Sequence, residues 1–309
     1  MTWRVVDIAE EGRVLSLSRG SLKVSGNDGE LGRVPLSDIQ CVLVHGHGAM
    51  LSLSLGAALA EAGIPLVLCG RNHAPAALSL PVSGNFEQAA RLTAQASLSL
   101  PRRKQLWRRL VMAKIASQAR ALELAGQPDH ARLAGLAKSV RSGDPDNVEA
   151  RAARFYWRRL MGKDFRRDPD GDGLNAHLNY GYAVVRAAMA RAVVAAGLTP
   201  GLGLHHRSRL NAFQLVDDLM EPFRPLADHA VWRNRKDWAR EVGAEAKREL
   251  AQVVNGAMAT AAGANTVSRV MSTLAHSLAE LCMGEATELS WPLDWGLVAQ
   301  TELDFANRP

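Results

Sequence analysis

Residues 203–225 contain the side chains whose types and spacing are best suited to chemistry. On a helix of about 3.6 residues per turn, four polar side chains of this segment share one face: Asn211, Gln214, Asp218 and Glu221. Asp218 and Glu221 are three residues apart, and like charges at this spacing repel unless a cation lies between them. A bound metal ion would remove that repulsion. The ordinary alternative is a solvated acidic face, which the apolar residues around the pair disfavour.

Two further residues could complete a metal site. His206 precedes Asp218 by 12 residues and Glu221 by 15, in a turn flanked by glycine. Glu149 lies one turn into a predicted helix for which Asp144 is a suitable N-cap. However, a single histidine is usually structural, and a carboxylate at a helix start is favourable simply through the helix dipole. The spacing alone therefore gives a hypothesis of a metal site and leaves both ordinary interpretations open.

The elements that must position these residues form two predicted domains of an α+β fold. Short apolar runs punctuated by glycine predict a small β-rich N-terminal domain over residues 1–82. Residues 83–100 are rich in Ser, Ala and Gln without a clear period, which predicts a surface linker. Apolar residues at three- and four-residue spacing then predict an all-helical domain over residues 101–309. Its helices are predicted near residues 101–125, 128–139, 145–161, 174–196, 208–221, 225–232, 236–257 and 264–283.

The charge of the chain indicates a polyanionic partner. Its formal net charge is +6, and 30 of its 37 basic residues are arginine, whose guanidinium group binds phosphate oxygens in a bidentate way. A general bias toward arginine would explain the same count. Two basic clusters interleaved with tryptophan are candidate DNA-binding surfaces, although charge runs usually mark solvated faces. They are Arg102, Arg103, Lys104, Arg108 and Arg109, and Arg233, Arg235 and Lys236.

The composition disfavours several other classes of protein. A hydrophobic fraction of 47% with 22% charged residues is typical of a globular protein, and no apolar stretch is long and uninterrupted enough for a membrane span. The first residues lack the order of a secretory signal, so we expect a cytoplasmic protein. The 3 cysteines are isolated along the chain, which indicates neither a disulfide framework nor a zinc cluster.

Several motifs of the second domain resemble those of a known family. Asp218-Leu-Met-Glu-Pro-Phe-Arg-Pro225, preceded by Gly203-Leu-His-His206, resembles the signature of the CRISPR-associated integrase family, the universal endonuclease of spacer acquisition. Residues 175–182 resemble the other helical motif of that family, and residues 147–153 resemble its first ligand region. The predicted N-terminal strands and helical remainder also match the family's layout, so the resemblance covers nearly the whole chain. Three separated motifs in the family's order make the resemblance highly specific.

The resemblance implies a set of metal ligands. The glutamate, the histidine and the acidic residue that bind metal in the family correspond to Glu149, His206 and Glu221. Asp218 corresponds to a nearby acidic position that contributes in some relatives. A shift of one residue would exchange His206 for His205, which is otherwise a neighbour that orients the ligand or contacts DNA. Oxygen ligands with one imidazole favour Mg²⁺ or Mn²⁺ over zinc.

The resemblance also implies an activity and partners. A homodimeric integrase of this family joins short double-stranded DNA spacers to the CRISPR repeat, through attack of a free 3′-hydroxyl on a phosphodiester. We expect the β-rich domain to form the dimer and a small ferredoxin-like adaptation protein to bridge two dimers. The 218–225 motif is most similar to the branch found beside single-protein effector nucleases, so the effector nuclease is a further candidate partner. The alternatives are a metal-dependent nuclease acting on branched or single-stranded DNA, and a catalytically silent DNA-binding scaffold.

Overall fold

The computed structural model describes residues 4–46, 48–70, 75–79, 81, 87–238 and 241–297. In these ranges strands dominate the N-terminal part and helices the remainder, so the predicted mixed α+β class is confirmed. The predicted boundary at residues 82 and 83 lies outside the described residues, and the division into domains stays a prediction. None of the helices in these ranges has both the length and the apolar character that a membrane span requires.

Within the described residues, the N-terminal part contains eight strands and one α-helix. The strands are β1 (Arg4–Ile8), β2 (Val14–Ser18), β3 (Ser21–Gly26), β4 (Gly29–Pro35), β5 (Ile39–Val44), β6 (Met50–Leu51), β7 (Leu66–Cys69) and β8 (Pro75–Ser79). One sheet has the order β1, β5, β7, β8, and the other has the order β4, β3, β2, β6. Strand β5 lies between the parallel strands β1 and β7 and is buried along most of its length. This position explains why residues 41–44 form a continuous apolar run rather than an alternating one. Helix α1 (Leu53–Glu61) connects the two sheets.

The described residues form two hydrophobic cores. The smaller core lies within the N-terminal part and includes Leu15, Leu22 and Leu55. The larger core joins the helices to side chains of the first sheet, among them Cys41 and Val67. The first sheet and the helices therefore share one core.

The remainder of the described chain is mainly helical, as predicted. Its helices are α2 (Gln88–Ala96), α3 (Leu100–Leu124), α4 (His130–Ala137), α5 (Val148–Leu160), α6 (Leu174–Ala195), α7 (Gln214–Met220), α8 (Arg224–Arg233), α9 (Ala244–Gln252) and α10 (Val267–Met283). A 3₁₀ turn at residues 221–223 joins α7 to α8. Helix α3 begins after Ser99, whose side chain accepts a hydrogen bond from the Arg102 backbone N–H. Helix α6 is buried along most of its length, and both α8 and α10 pack against it.

The prediction of an all-helical second domain is wrong at residues 257–266. Strands β9 (Ala257–Thr260) and β10 (Gly263–Thr266) form an antiparallel hairpin there, and the helix expected over residues 236–257 begins only at Ala244. The alanines of this stretch resemble a helical pattern. Gly263, however, adopts a φ of +96°, which favours glycine and supports the turn, and the Thr260 hydroxyl donates to its carbonyl at 2.6 Å.

The predicted surface linker over residues 83–100 is also corrected, because it contains helix α2. Its apolar residues are four alanines and the exposed Leu92, so its sequence shows no stripe of large buried side chains. Polar contacts hold it instead: the Gln95 amide donates to the Thr199 and Leu202 carbonyls at 3.0 and 2.9 Å. Arg91 donates to the Ala196 carbonyl at 2.8 Å. Tertiary hydrogen bonds of this kind have no local sequence signature.

The helix predicted over residues 208–221 begins only at Gln214. Asn211 lies in the preceding turn, where its side-chain oxygen accepts a hydrogen bond from the Phe213 backbone N–H at 2.9 Å. An asparagine side chain that bonds the backbone two residues ahead favours a turn over a helix. The four-residue polar face predicted from the sequence is therefore incomplete: Gln214 and Asp218 lie in α7, whereas Asn211 precedes it and Glu221 lies in the 3₁₀ turn after it.

Candidate active site

Asp218 is the central acceptor of the turn that precedes α7. Its side chain is fully buried, and it accepts backbone hydrogen bonds from Leu204, His205 and His206 at 2.6, 3.0 and 3.3 Å. A fourth hydrogen bond joins its Oδ1 to His206 Nδ1 at 2.6 Å. The chain can approach this closely because residue 203 is glycine, where a Cβ would lie 2.8 Å from the His206 carbonyl oxygen. Both carboxylate oxygens of Asp218 are therefore engaged.

The contact with Asp218 decides which nitrogen of His206 is available. Because Nδ1 is bonded to Asp218, Nε2 is the ring nitrogen left for a ligand. The imidazole is 43% exposed, so a ligand can reach it. The hydrogen bond that the His206 ring makes to the Asp218 carboxylate raises the pKa of His206, and Glu221 contributes to the same shift through its charge. His206 therefore lies in the electrostatic field of Glu221.

Trp107 of α3 forms the wall behind both histidines. The His205 ring stacks on it with 4.2 Å between centroids and 3° between planes. The His206 ring meets the same indole edge-on, at 5.8 Å and 81°. His205 is thus held by an aromatic surface, whereas His206 is held by a carboxylate.

Glu149 begins the second side of the site. Its helix α5 starts after a turn in which Asp144 accepts hydrogen bonds from the Val148 and Glu149 backbone N–H groups, at 2.9 and 3.0 Å. Asp144 thus satisfies two N–H groups at the helix start, as predicted, although Asn147 occupies the N-cap position itself. The Glu149 side chain is 25% exposed, and its Oε1 accepts from Lys114 Nζ at 2.6 Å.

Glu221 reaches the same ammonium group from the 3₁₀ turn between α7 and α8. Its Oε2 lies 2.5 Å from Lys114 Nζ, as an ion pair outside hydrogen-bond geometry. Its Oε1 lies 3.0 Å from Arg224 Nη2. Burial opposes ionisation of this carboxyl, but Arg224 and Lys114 outweigh it and lower the pKa of Glu221 to about 2. Glu221 is therefore ionised at neutral pH.

The donor set fits a divalent cation in its chemistry. Glu149 and Glu221 converge on one positive charge, and the available Nε2 of His206 belongs to a ring whose charge Glu221 senses. Hard oxygens with one imidazole suit Mg²⁺ or Mn²⁺. As they stand, no three acidic, histidine or cysteine side chains of the described residues are grouped closely enough to hold an ion. The point between the two carboxylates is taken by Lys114.

The sequence predicted five of these side chains, Glu149, His205, His206, Asp218 and Glu221, and missed three. Lys114, Arg224 and Trp107 were not expected at the site, since Lys114 and Trp107 come from a helix far from the motif in sequence. One signal was present for Lys114: it is a cation at helical spacing from the buried Trp107 and Leu110 of α3, and charged residues are rarely buried unless paired.

Most of the predicted DNA-binding arginines already have partners within the chain. Arg102, Arg103 and Arg108 donate to the carbonyls of Thr287, Ala96 and Val140. Ion pairs join Arg109 to Glu288 and Arg233 to Glu249, and Arg235 lies over the Trp232 ring. Lys104 and Lys236 are exposed. The first cluster lies along the start of α3 and the second at the end of α8.

A further basic surface was not predicted. The exposed side of α5 and the turn after it form a concavity of about 320 Å³. It is lined by Arg154, Phe155, Arg158, Arg159 and Lys163. The sequence signal was the arginine spacing within residues 151–159, on the helix that also carries Glu149.

Comparison with known proteins identifies the relatives of the chain. The family described as CRISPR associated protein Cas1 matches residues 6–247. A CRISPR-associated endonuclease Cas1 from Neisseria meningitidis serogroup C (strain 8013) is 44% identical over 232 residues, which are 75% of each chain. A second one, from Pyrobaculum aerophilum, is 32% identical over 79% of this chain and 86% of its own length.

Three solved structures share the fold. A casposase bound to its integration product has a TM-score of 0.80 over 99% of this chain and 98% of its own, at 18% identity. A Cas6-RT-Cas1–Cas2 complex has a TM-score of 0.76 over 95% of this chain and 36% of its own, at 15% identity. A Cas1–DNA complex has a TM-score of 0.56 over 94% of each chain, at 18% identity. Since the family model spans most of the chain and a relative is 44% identical over 75% of it, the chain belongs to the Cas1 family of CRISPR-associated proteins.

Proposed function

We propose that this chain is a divalent-metal-dependent DNA endonuclease and strand-transfer enzyme of CRISPR adaptation. In this proposal a free 3′-hydroxyl of a short duplex spacer attacks a phosphodiester at the border of the repeat. One observation carries it: two glutamates from separate helical segments converge on a single cation beside an imidazole that a buried carboxylate orients. Membership of the Cas1 family and the 44% identical endonuclease support the same activity.

In this proposal three side chains bind the metal ion and two others position or charge those ligands. Glu149, Glu221 and the Nε2 atom of His206 would hold the Mg²⁺ or Mn²⁺ ion. When bound, such an ion lowers the pKa of an attacking hydroxyl and neutralises charge on the phosphate oxygens. Asp218 fixes the His206 ring and leaves Nε2 as its available nitrogen. Arg224 keeps Glu221 ionised and orients its other oxygen.

The proposed partners follow from the basic surfaces and from the relatives. Double-stranded DNA would lie on the clusters around residues 102–109 and 233–236, which contribute affinity without base specificity. One relative of the same fold is solved with DNA and another in a complex named with Cas2. We propose a homodimer that assembles with a small ferredoxin-like adaptation protein of that kind. A contact with the effector nuclease rests on the sequence motif alone.

A strand-transfer assay tests this function. The purified chain, its small partner protein and an end-labelled short duplex are incubated with a supercoiled plasmid that carries the repeat. With Mg²⁺ or Mn²⁺ we expect the label to join the plasmid, and a chelator to stop the reaction until the ion is restored. Full activity in the chelator would exclude the metal. Cleaved DNA without joined label would instead indicate the nuclease on branched or single-stranded DNA.

The three proposed ligands can be tested in the same assay. Glu149→Ala, His206→Ala and Glu221→Ala should each abolish strand transfer, because each removes a ligand, while circular dichroism and duplex binding stay close to wild type. The exposed Glu285 provides a matched control, and Glu285→Ala should be fully active. His205→Ala should be milder than His206→Ala. The opposite order would show that the other histidine is the ligand.

A further inference from the structure

Lys114 is the cation at the centre of the candidate site. It extends from α3, and its side chain is only 14% exposed. Its Nζ atom lies 2.6 Å from an oxygen of Glu149 and 2.5 Å from an oxygen of Glu221. These are the two carboxylates that would hold the ion. The ammonium group therefore joins two oxygens that come from opposite sides of the site.

An ammonium group and a divalent ion cannot share this position. Mg²⁺ binds oxygen ligands at about 2.0–2.1 Å, so an ion held by the same two oxygens would lie almost on the Lys114 Nζ atom. Charge leads to the same conclusion. Lys114 and Arg224 already balance Glu149 and Glu221, and two more positive charges in a poorly solvated site would be strongly repelled.

We propose that Lys114 is a tethered counter-ion, which occupies the cation position of the site until a divalent ion displaces it from between Glu149 and Glu221. This inference rests on the proposed function, because it requires both glutamates to be ligands. The tether has two consequences. Without the ion it holds the two glutamates together, so the site stays assembled. It also competes with the ion, so the apparent affinity for metal is lower than that of the carboxylates alone.

The ordinary alternative is a permanent ion pair, which would keep Lys114 in place whether or not an ion is bound. The two possibilities differ in the accessibility of the amine. A displaced Lys114 must leave a position in which both carboxylates contact it, and its amine then becomes reactive toward solvent reagents. A permanent pair stays protected, and an ion that binds nearby would only bury it further.

Amine labelling of the wild-type, full-length protein separates these possibilities. The protein is treated with an acetylating ester, with and without saturating Mn²⁺, and the acetylation rate of each lysine is followed by peptide mass spectrometry. We expect the rate at Lys114 to rise at least about fivefold with Mn²⁺. The exposed Lys138 should react at the same rate in both conditions. An unchanged or slower rate at Lys114 would overturn the proposal.

Metal affinity gives a second, independent measurement. Mn²⁺ binding is titrated by electron paramagnetic resonance, without DNA, in the wild type and in two variants, Lys114→Met and Lys138→Met. Each variant loses one positive charge. Removing a competitor that makes charge-assisted contacts should tighten Mn²⁺ binding by at least about tenfold in Lys114→Met, with Lys138→Met unchanged. Equal or weaker binding in Lys114→Met would contradict the tether. If neither wild type nor Lys114→Met bound Mn²⁺, the ligand set of the proposed function would be wrong. The labelling result stands even if Lys114→Met fails to fold.

Discussion

Asp218 accepts four hydrogen bonds, three from backbone amides and one from His206, while lying fully buried. The family resemblance implies that Asp218 is a secondary metal ligand. Its oxygens, however, are directed at the turn 204–206 and at the His206 ring. We therefore interpret Asp218 as a positioning residue that orients His206, the proposed ligand.

Asp218→Asn tests this interpretation, because it keeps the shape of the side chain and removes its charge. Loss of a carboxylate that orients a metal-binding histidine typically costs about 10- to 100-fold in metal affinity or activity, and we expect a loss in that range for Mn²⁺ binding. The matched control is Asp217→Asn on the same helix, whose carboxylate pairs with Arg186 instead. Loss of binding as complete as in Glu221→Ala would make Asp218 a ligand, and wild-type affinity would remove it from the site.

The sequence predicts contacts within one segment of the chain better than contacts between separate helices. His206, Asp218 and Glu221 come together through one turn and one short helix, so their spacing carried information about their geometry. Lys114 and Glu149 meet Glu221 only through the packing of separate helices. Nothing in the spacing of residue 114 relative to residue 221 specifies a distance, because tertiary packing decides it.

Among the elements, α5 connects the candidate site to an open basic surface. Glu149 lies at its start, and Arg158 follows nine residues later, about 14 Å along the helix axis. Arg154 bonds the carbonyl of Ala150 on its own helix. Neither Arg154, Arg158 nor Lys163 has a carboxylate partner in the part of the chain that the structure describes. These cations are therefore free to meet phosphates, unlike most arginines at residues 102–109 and 233–235.

We expect the α5 surface to contribute to duplex binding. The double variant Arg154→Glu and Arg158→Glu should weaken binding of unrelated duplexes to a similar extent, since phosphate contacts carry no sequence information. The dependence of log affinity on log salt should become less steep by about 0.9 for each phosphate that the variant no longer neutralises. Fluorescence anisotropy at several salt concentrations measures both effects.

Arg33→Glu on β4 is the control for a charge reversal elsewhere on the chain, because Arg33 is exposed and paired with Glu30 in the N-terminal part. The same titration of Arg102→Glu and Arg109→Glu compares the predicted cluster with the α5 surface. Unchanged affinity in the Arg154 and Arg158 double variant would show that this face is only solvated. A larger loss at Arg102 and Arg109 would return the main DNA surface to α3.

Element boundaries were predictable where the hydrophobic period is strong and not where polar contacts decide. Helices α3, α5, α6 and α10 carry buried faces that their sequences display. Helix α2 was missed because its apolar residues are alanines and the exposed Leu92, and because hydrogen bonds of Gln95 and Arg91 help to hold it in place. The hairpin β9–β10 was missed because alanines fit either structure, and only the turn at Gly263 decides between them.

At the scale of the whole molecule, the N-terminal part cannot be removed without damage to the helices. Cys41 and Val67 of the first sheet lie in the same hydrophobic core as α3 and α6, so deleting residues 1–80 would expose apolar surface of the helical part. Truncation is therefore a poor test of which part forms the dimer. Point changes on exposed surfaces are better suited, because they leave this core intact.

The dimer is expected at the β6 edge of the second sheet. Met50, Leu51 and Leu53 are 62%, 39% and 92% exposed there. Leu51 ends a two-residue edge strand, which pairs with β2 alone among the strands that the structure describes. Exposed apolar side chains beside an open strand edge favour pairing with a second copy. Met50→Glu with Leu53→Glu should therefore convert the dimer to a monomer in light scattering, while Mn²⁺ binding is retained.

Leu210 provides the matched control for this change, since it is 98% exposed but lies in the helical part, before α7. Leu210→Glu should leave the dimer intact. If the Met50 and Leu53 variant stayed dimeric and the Leu210 variant became monomeric, the interface would lie on the helical part instead. The two outcomes also differ in function. A monomer that still binds Mn²⁺ should join one end of a spacer but not both, because two-ended joining requires two sites held at a fixed distance within one assembly.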